Sequence, residues 1–171
     1  MARDQDAPAA PRLLVDAMLG RLCKWLRLLG YDALYAASWS DHQIAAQARA
    51  QGRIVLTRDQ ELIRRKGLDC LLVHSQTLET QLEQIVSTLG APPPSTRPRC
   101  PRCNTALESI TPEQARVHVP KYVFDTQHIF TRCRTCSRYY WPGSHWQNIH
   151  STLERIKRNA NQTRQTGGAH K

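Results

Sequence analysis

The segment LLVDAMLGRLCKWLRLLG, residues 13–30, predicts a short buried strand that leads directly into a helix. The apolar run at residues 13–15 ends at Asp16, and the leucines after it recur at helical spacing. Gly30 suits the end of this helix. The leucines that share one helical stripe are Leu19, Leu22, Leu26 and Leu29.

The same alternation of strand and helix continues to residue 89. Further strands are predicted at DALYA, RIVLT and CLLVH, which are residues 32–36, 53–57 and 70–74. Helices are predicted after them, at residues 38–52, 59–66 and 77–89. Four strands that alternate with helices through short connections predict an α/β fold, with a parallel sheet and helices on both of its faces.

From the composition we expect neither a membrane protein nor an exported protein. The chain has 171 residues, of which 40% are hydrophobic, and no stretch approaches the ~20 apolar residues of a membrane span. The first residues, MARDQDAPAAPR, lack the apolar core of a signal peptide, so we expect a cytoplasmic protein. Residues 1–11 and 159–171 are polar or rich in Ala and Pro, and are expected to be disordered tails.

The positive charge is concentrated in the second half of the chain. The formal net charge is +10, which favours a polyanionic partner such as nucleic acid. Residues 1–91 hold 11 basic and 10 acidic side chains, whereas residues 92–171 hold 13 and 4. A Pro-rich stretch at residues 91–99 separates the halves. We therefore expect two domains, at residues 12–91 and 98–155.

Three aspartates follow predicted strands or open predicted helices. Asp16 follows the first strand, Asp41 begins the helix after the second, and Asp59 follows the third. The carboxyl ends of parallel strands meet at one edge, where clustered carboxylates need a cation such as Mg²⁺ or Mn²⁺. Such an ion activates water for phosphodiester hydrolysis. The alternative is that each aspartate only caps a helix, which Asp does well.

Basic side chains near these aspartates are candidates for phosphate contacts. Arg58 precedes Asp59, and Arg21 lies on a basic stripe with Lys24 and Arg27. Such a stripe is also typical of a solvated helix face.

The second half carries two CxxC pairs, Cys100-Pro-Arg-Cys103 and Cys133-Arg-Thr-Cys136. Two such pairs can complete a tetrahedral zinc site with four sulfur ligands, which leaves no open position and is therefore structural. A redox motif or disulfides are the competing interpretation. We predict a zinc ribbon, with strands in RVHVPKYVF and HIFTRC (residues 116–124 and 128–133), while Cys23 and Cys70 are small core residues.

Arginines cluster around the cysteines and are candidate RNA contacts, whereas the neighbouring aromatic residues are assigned mainly to packing. The role of His145 is left open. The arginines are Arg99, Arg102, Arg132, Arg134 and Arg138.

Residues 12–153 resemble the Mut-seven C-terminal RNase family. In the first half the resemblance is carried by LLVDAMLGRLCKWLRLLGYD, the helix-opening Asp41 and IVLTRDQEL. In the second half it is carried by CPRC, Val119–Pro120, CRTC and RYYWPGSHW. Members of this family look like PIN-type nucleases joined to a C-terminal zinc ribbon.

The resemblance implies a PIN-like sheet of strand order 3-2-1-4 and metal-dependent hydrolysis of RNA. The acidic positions of the family fall on Asp16, Asp41 and Asp59, with Arg21 and Arg58 beside them. PIN nucleases often carry a fourth acidic residue near the end of the fourth strand, where this chain has His74 and Ser75. The combination also resembles the endonuclease that matures small-subunit ribosomal RNA.

Sequence therefore predicts an endoribonuclease that uses Mg²⁺ or Mn²⁺ at the aspartates and binds RNA through its zinc ribbon. Ribosomal or transfer RNA are the candidate substrates. A non-catalytic protein that binds RNA or the ribosome is the alternative from another class, and a PIN-type toxin is a third.

Overall fold

Strands and helices alternate through the first half of the chain in the computed structural model, which describes residues 10–93, 95–143, 147, 151, 154 and 155. The strands are β1 (Leu13–Asp16), β2 (Ala33–Ala36), β3 (Ile54–Thr57) and β4 (Cys70–Leu72). The helices are α1 (Gly20–Leu28), α2 (Asp41–Gln51), α3 (Gln60–Ile63) and α4 (Leu78–Leu89). A 3-10 turn, Ala17–Leu19, joins β1 to α1. The predicted α/β fold is confirmed.

The four strands form one parallel sheet in the order β2-β1-β3-β4. The order 3-2-1-4 implied by the family resemblance is wrong, because β3 lies between β1 and β4 and not at an edge. The apolar residues of β1 are fully buried on both faces of the sheet, which suits a central strand. The residues of β4 and the middle of β2 are half-buried, as edge strands are.

Helices cover both faces of this sheet, as predicted. Leu13 and Val15 of β1 point to one face, where they pack with leucines of α1 and α4. Leu14 points to the other face and packs with Ile44 of α2 and Leu62 of α3. The alternation of side chains along β1 thus divides the core into two layers.

Local signals set most helix ends. Ser40 and Gln43 form a capping box at the start of α2, and Gly52 ends that helix in the left-handed region with φ of 57°. The predicted helix at 59–66 is shorter, because α3 ends at Ile63. Beyond it, Arg49 of α2 donates hydrogen bonds to the carbonyls of Lys66 and Gly67, which hold this segment against α2.

The second half contains a small antiparallel sheet of β5 (Glu108–Ile110), β6 (Phe130–Arg132) and β7 (Tyr139–Tyr140). Two short helices, α5 (Pro112–Ala115) and α6 (Lys121–Thr126), lie between β5 and β6. The predicted strand in HIFTRC is confirmed as β6. The predicted strand at residues 116–124 is wrong, since this segment forms a turn and the start of α6, for which Pro120 is the N-cap.

The Pro-rich segment runs along the first half of the chain. Thr96 lies so close to Gly30 that a Cβ on that glycine would come within 2.7 Å of the Thr96 Cγ2 atom. The backbone N–H of Arg99 donates to the carbonyl of Arg27. The predicted disordered tails, apart from residues 10 and 11, and His145 lie outside the described residues. No helix in the described part is long and apolar enough to cross a membrane.

Candidate active site and cysteine centre

Asp16 and Thr57 meet at the carboxyl ends of β1 and β3. The pairing of Val15 with Leu56 places the next residue of each strand side by side. The Thr57 hydroxyl, which is fully buried, donates to Asp16 Oδ2 at 2.8 Å. Asp16 Oδ1 accepts from the backbone N–H of Ala17 at 2.6 Å, so this carboxylate also caps the 3-10 turn.

Asp59 is tied to the same hydroxyl. The backbone N–H of Asp59 donates to Thr57 Oγ1 at 2.9 Å, and Asp59 Oδ1 caps α3 by accepting from Glu61 N at 2.8 Å. Asp59 Oδ2 accepts no hydrogen bond from the residues that the structure describes. Thr57 therefore links the two half-buried aspartates, a role that the sequence analysis missed. Its signal was a hydroxyl residue at the end of a buried strand, two positions before an aspartate.

Asp41 has a different environment. It is the first residue of α2, but Ser40 caps that helix, so capping does not account for Asp41. Its carboxylate pairs with Arg65 at 3.1 Å, and both side chains are about 40% exposed, at 43% and 41%. Exposed pairs of this kind contribute about 0–1 kcal/mol, so little free energy holds the carboxylate there.

Asp16, Thr57 and Asp59 follow or end two neighbouring strands whose outgoing connections diverge. From β1 the chain crosses to β2 on one side, and from β3 it crosses to β4 on the other, so the connections diverge between β1 and β3. In parallel sheets such a divergence opens a crevice that binds ligands. Asp16, Thr57 and Asp59 lie there. The three aspartates do not form a preassembled ligand set: among the described residues, the only group of three or more His, Cys, Asp or Glu ligand atoms within 4.8 Å of one another consists of cysteines.

The basic candidates beside the aspartates have no side-chain partner among the described residues. Arg21 is exposed on the first turn of α1, and Arg58 is half-buried between Thr57 and Asp59. Neither side chain makes a hydrogen bond or an ion pair to another described residue. Both guanidinium groups are therefore available for an anion.

The end of the fourth strand supplies no carboxylate. The backbone N–H of His74 donates to the side chain of Gln84 at 3.3 Å, and the imidazole is exposed. The Ser75 hydroxyl contacts that of Thr80. These contacts hold the start of α4 and give His74 and Ser75 structural partners.

The four cysteines of the CxxC pairs converge in the second half. Their sulfur atoms all lie within 4.8 Å of one another, and Cys100 and Cys133 are fully buried. The sulfur atoms of Cys100 and Cys136 are 3.7 Å apart. This is much longer than a disulfide and close to the ~3.8 Å expected between sulfurs at 2.3 Å from a tetrahedral zinc ion. All six cysteines of the chain are free. The centre can therefore bind zinc, and the fold around it is compatible with a zinc ribbon.

Electrostatics shift the pKa values of Cys133 and Cys136 in opposite directions. Burial raises the pKa of Cys133, whereas a hydrogen bond from the backbone of Arg138 lowers the pKa of Cys136 to about 6. The Tyr140 hydroxyl lies 3.1 Å from the Cys100 sulfur and can donate to it. Thiolates this close repel one another, so a cation is needed to keep all four deprotonated.

The candidate RNA-binding arginines differ in the contacts that their side chains make with described residues. Arg134 forms an ion pair with Glu108, although 78% of its side chain is exposed. Arg132 lies over the ring of Tyr139, and Arg99 donates to the backbone carbonyl of Asn104. Arg102 and Arg138 are exposed and make no side-chain bond to the described residues. These two remain available for RNA, whereas the first three have structural contacts.

A polar network joins the two halves of the chain and was not foreseen. Asp32 accepts from both terminal nitrogens of Arg53 at 2.9 and 3.1 Å, and from Asn104 Nδ2 at 2.7 Å. Partial burial raises the pKa of Asp32, but the bonds from Arg53 and Asn104 outweigh it and lower that pKa. Asn104 follows the first CxxC pair directly, in a left-handed conformation with φ of 62°. The network thus fixes the cysteine centre to the sheet.

Cys23 is confirmed as a core residue, whereas Cys70 is only half-buried. Cys23 is buried in the layer under α1, where burial raises its pKa to about 11, and Cys70 packs at the edge of the opposite layer. Neither thiol belongs to the cysteine centre.

Comparison with known proteins agrees with this geometry. A model of the Mut7-C RNAse domain matches residues 11–153, which include both the aspartate crevice and the cysteine centre. No curated protein and no solved structure matches the chain. The matching family indicates an RNase-type function, and hence an RNA substrate. The chain therefore belongs to the Mut7-C RNAse domain family.

Proposed function

We propose that the protein is a metal-dependent endoribonuclease whose active centre lies in the crevice between β1 and β3. The observation that carries the proposal is the Thr57 hydroxyl, which links Asp16 and Asp59 there. A buried hydroxyl that bonds to a carboxylate orients it, as residues behind metal ligands commonly do.

Capping and metal binding are compatible at these aspartates. A carboxylate has about four lone-pair positions, and Asp16 uses two of them while Asp59 uses one for described partners. Mg²⁺ keeps several waters and commonly takes only one or two protein carboxylates. Asp16 and Asp59 therefore suffice to hold Mg²⁺ or Mn²⁺. Asp41 would be available as a third ligand on separating from Arg65, which would cost about 1 kcal/mol at most.

The residues around the crevice have distinct roles in hydrolysis. A bound ion supplies an activated water and stabilises charge on the phosphodiester. Asp16 and Asp59 fix the position of that charge, and Thr57 orients Asp16. Arg58 and Arg21 place the scissile phosphate, since both have guanidinium groups that pair with no described residue and match its oxygens.

The second half is proposed to bind the RNA and to be held together by zinc. Residues 12–91 would form the nuclease domain, and residues 98–155 a zinc ribbon with a structural ion on Cys100, Cys103, Cys133 and Cys136. Among the proposed RNA contacts, Arg102 and Arg138 make no side-chain bond to a described residue, and Arg99, Arg132 and Arg134 lie beside them. Ribosomal or transfer RNA, and a cytoplasmic location, belong to this proposal.

The test is cleavage of a circular RNA, which only an endonuclease can open, with Mn²⁺, with Mg²⁺ or without either ion. Asp16→Asn and Asp59→Asn keep an oxygen for capping but lose the charge, so we expect a loss of cleavage of at least 100-fold with folding retained. Asp69→Asn, at an exposed aspartate beside the other edge of the sheet, is the matched control. Salt-sensitive RNA binding without cleavage under every condition would instead support the non-catalytic binding protein.

A further inference from the structure

A cleft of about 430 Å³ lies between α1, β2 and the first cysteine knuckle, residues 100–103. Helix α1 contributes Arg21, Lys24 and Arg27 to its lining, and the knuckle contributes Arg102. Four cationic side chains thus share one cleft whose walls come from both halves of the chain.

These cations are not neutralised within the described part of the protein. None of the four takes part in an ion pair there. Arg21, Lys24 and Arg102 are exposed and make no side-chain hydrogen bond to a described residue. Their mutual repulsion, in a cleft that excludes part of the solvent, favours an anionic ligand.

Arg27 is an independent indication of such a ligand. Arg27 is only 7% exposed, yet the described hydrogen-bond partners of its side chain are all neutral carbonyls. Nε donates to Ala33 O at 2.8 Å, and Nη1 donates to the carbonyls of Pro101 and Arg102 at 2.8 and 3.2 Å. A buried guanidinium without a carboxylate is costly, and an anion in the cleft would offset that cost. These bonds also fix the knuckle against α1.

The cleft extends from the edge of the sheet that holds the aspartates towards the knuckle. Gly20, at the start of α1, lines one end, and it is only four residues beyond Asp16. Tyr35 lines the same end and donates to the carbonyl of Ala17. Arg27 is two turns further along α1, about 10 Å away. This length accommodates more than one phosphate of an extended strand.

We propose that this cleft binds backbone phosphates of the RNA strand adjacent to the scissile bond and leads that strand from the knuckle to the aspartate crevice. The identity of the ligand as RNA rests on the proposed function. Planar guanidinium groups match phosphate oxygens, and the volume lies in the usual range for ligand pockets. Arg27 acts as a positioning residue, because it sets the knuckle that carries Arg102.

The experiment compares two double variants that remove the same charge. Lys24→Gln with Arg102→Gln lies in the cleft, and Lys66→Gln with Arg97→Gln removes exposed cations outside it that also lack side-chain bonds to described residues. Binding of a fluorescent single-stranded RNA is measured by anisotropy over a range of KCl, without Mg²⁺ or Mn²⁺. The binding constant falls as salt rises, and each lost phosphate contact makes the slope of log K against log salt shallower by about 0.7. The slope of the cleft variant should therefore be about 1.4 shallower than that of the unaltered protein.

The control variant should keep the slope of the unaltered protein, and a cleft variant that retains charge, Lys24→Arg with Arg102→Lys, should largely restore it. Equal slopes in the cleft and control variants would overturn the proposal. A competition experiment gives a second way to overturn the proposal. Inorganic phosphate or polyglutamate would have to displace the RNA as efficiently, per charge, as an RNA oligomer does. Binding is scored without cleavage, so Asp16→Asn should keep the slope. The proposal for the cleft and the proposal for the hydrolytic site can therefore be refuted independently.

Discussion

Replacing Thr57 with valine tests the link on which the proposed active centre depends. Valine has nearly the same shape but cannot donate to Asp16 Oδ2 or accept from the backbone of Asp59. Both hydrogen bonds are short, and the Thr57 side chain is fully buried, so no water takes the place of the hydroxyl. The change therefore removes the orientation of one carboxylate and the partner of one amide without altering a proposed ligand.

The magnitude follows from these two bonds. A hydrogen bond to a charged group contributes about 1.5–3 kcal/mol, and we expect the free energy of unfolding to fall by about 2–3 kcal/mol. In a chain of this length that lowers the melting temperature by about 4–12 °C. Loss of a residue that orients a metal ligand typically weakens metal affinity or activity 10- to 100-fold. We expect that weakening for Mn²⁺ in the valine variant.

The assay is a Mn²⁺ titration of RNA cleavage, together with calorimetric titration of Mn²⁺ in the absence of RNA. Thr57→Ser is the matched control, because it keeps the hydroxyl and loses only a methyl group, which costs about 1 kcal/mol. Both variants are compared below the melting temperature of the less stable one. Equal Mn²⁺ dependence of the valine and serine variants would refute the reasoning, because the hydroxyl would then have no influence on the metal site.

Three further predictions concern zinc, acid stability and the exposed ion pair. Cys133→Ser should reduce bound zinc from one ion per chain to well below one by elemental analysis, whereas Cys70→Ser, outside the cysteine centre, should keep it. The lowered pKa of Asp32 means that its bond with Arg53 stabilises the fold above the unfolded pKa of about 3.9 and is lost as pH falls through the lower folded value. Urea unfolding should therefore separate Asp32→Asn from the unaltered protein at pH 7 and at pH 5, with the difference shrinking below pH 4. An undiminished difference at pH 2 would contradict the assignment. Arg65→Ala should change the free energy of unfolding by less than about 1 kcal/mol. The affinity for Mn²⁺ should stay unchanged or rise, because the carboxylate of Asp41 is then released from Arg65. A large loss of Mn²⁺ affinity would contradict the proposed third ligand.

The location of the cations gives both halves of the chain a part in substrate binding. The charge distribution along the sequence predicts RNA binding mainly by the basic second half. The cleft instead combines three cations of α1, in the nearly neutral half, with one from the cysteine knuckle. Net charge per segment does not locate a binding surface, because what matters is which cations lack a carboxylate partner in the folded chain.

Patterns within short stretches predicted the layered α/β architecture and the cysteine ligand set. Alternating strands and helices, the Ser40 and Gly52 ends of α2 and the two CxxC pairs all depend on neighbours within a few residues, so they can be read directly. The same local reasoning failed at residues 116–124, where the β-branched residues suggested a strand but Pro120 begins a helix.

Other features depend on pairings between residues far apart in the chain. Strand β3 lies between β1 and β4, where both of its faces are covered. The residue pattern of a four-residue strand does not specify which strands will be its neighbours. The bond from Thr57 to Asp16 spans 41 positions, and the bonds from Arg27 to the knuckle span more than 70. Sequence by itself thus determined which chemical groups the protein has, and the approximate positions of the strands and helices within residues 13–89. Only the tertiary structure decided which of those groups face one another, because hydrogen bonds and charges act over a few ångströms in space, whatever their separation along the chain.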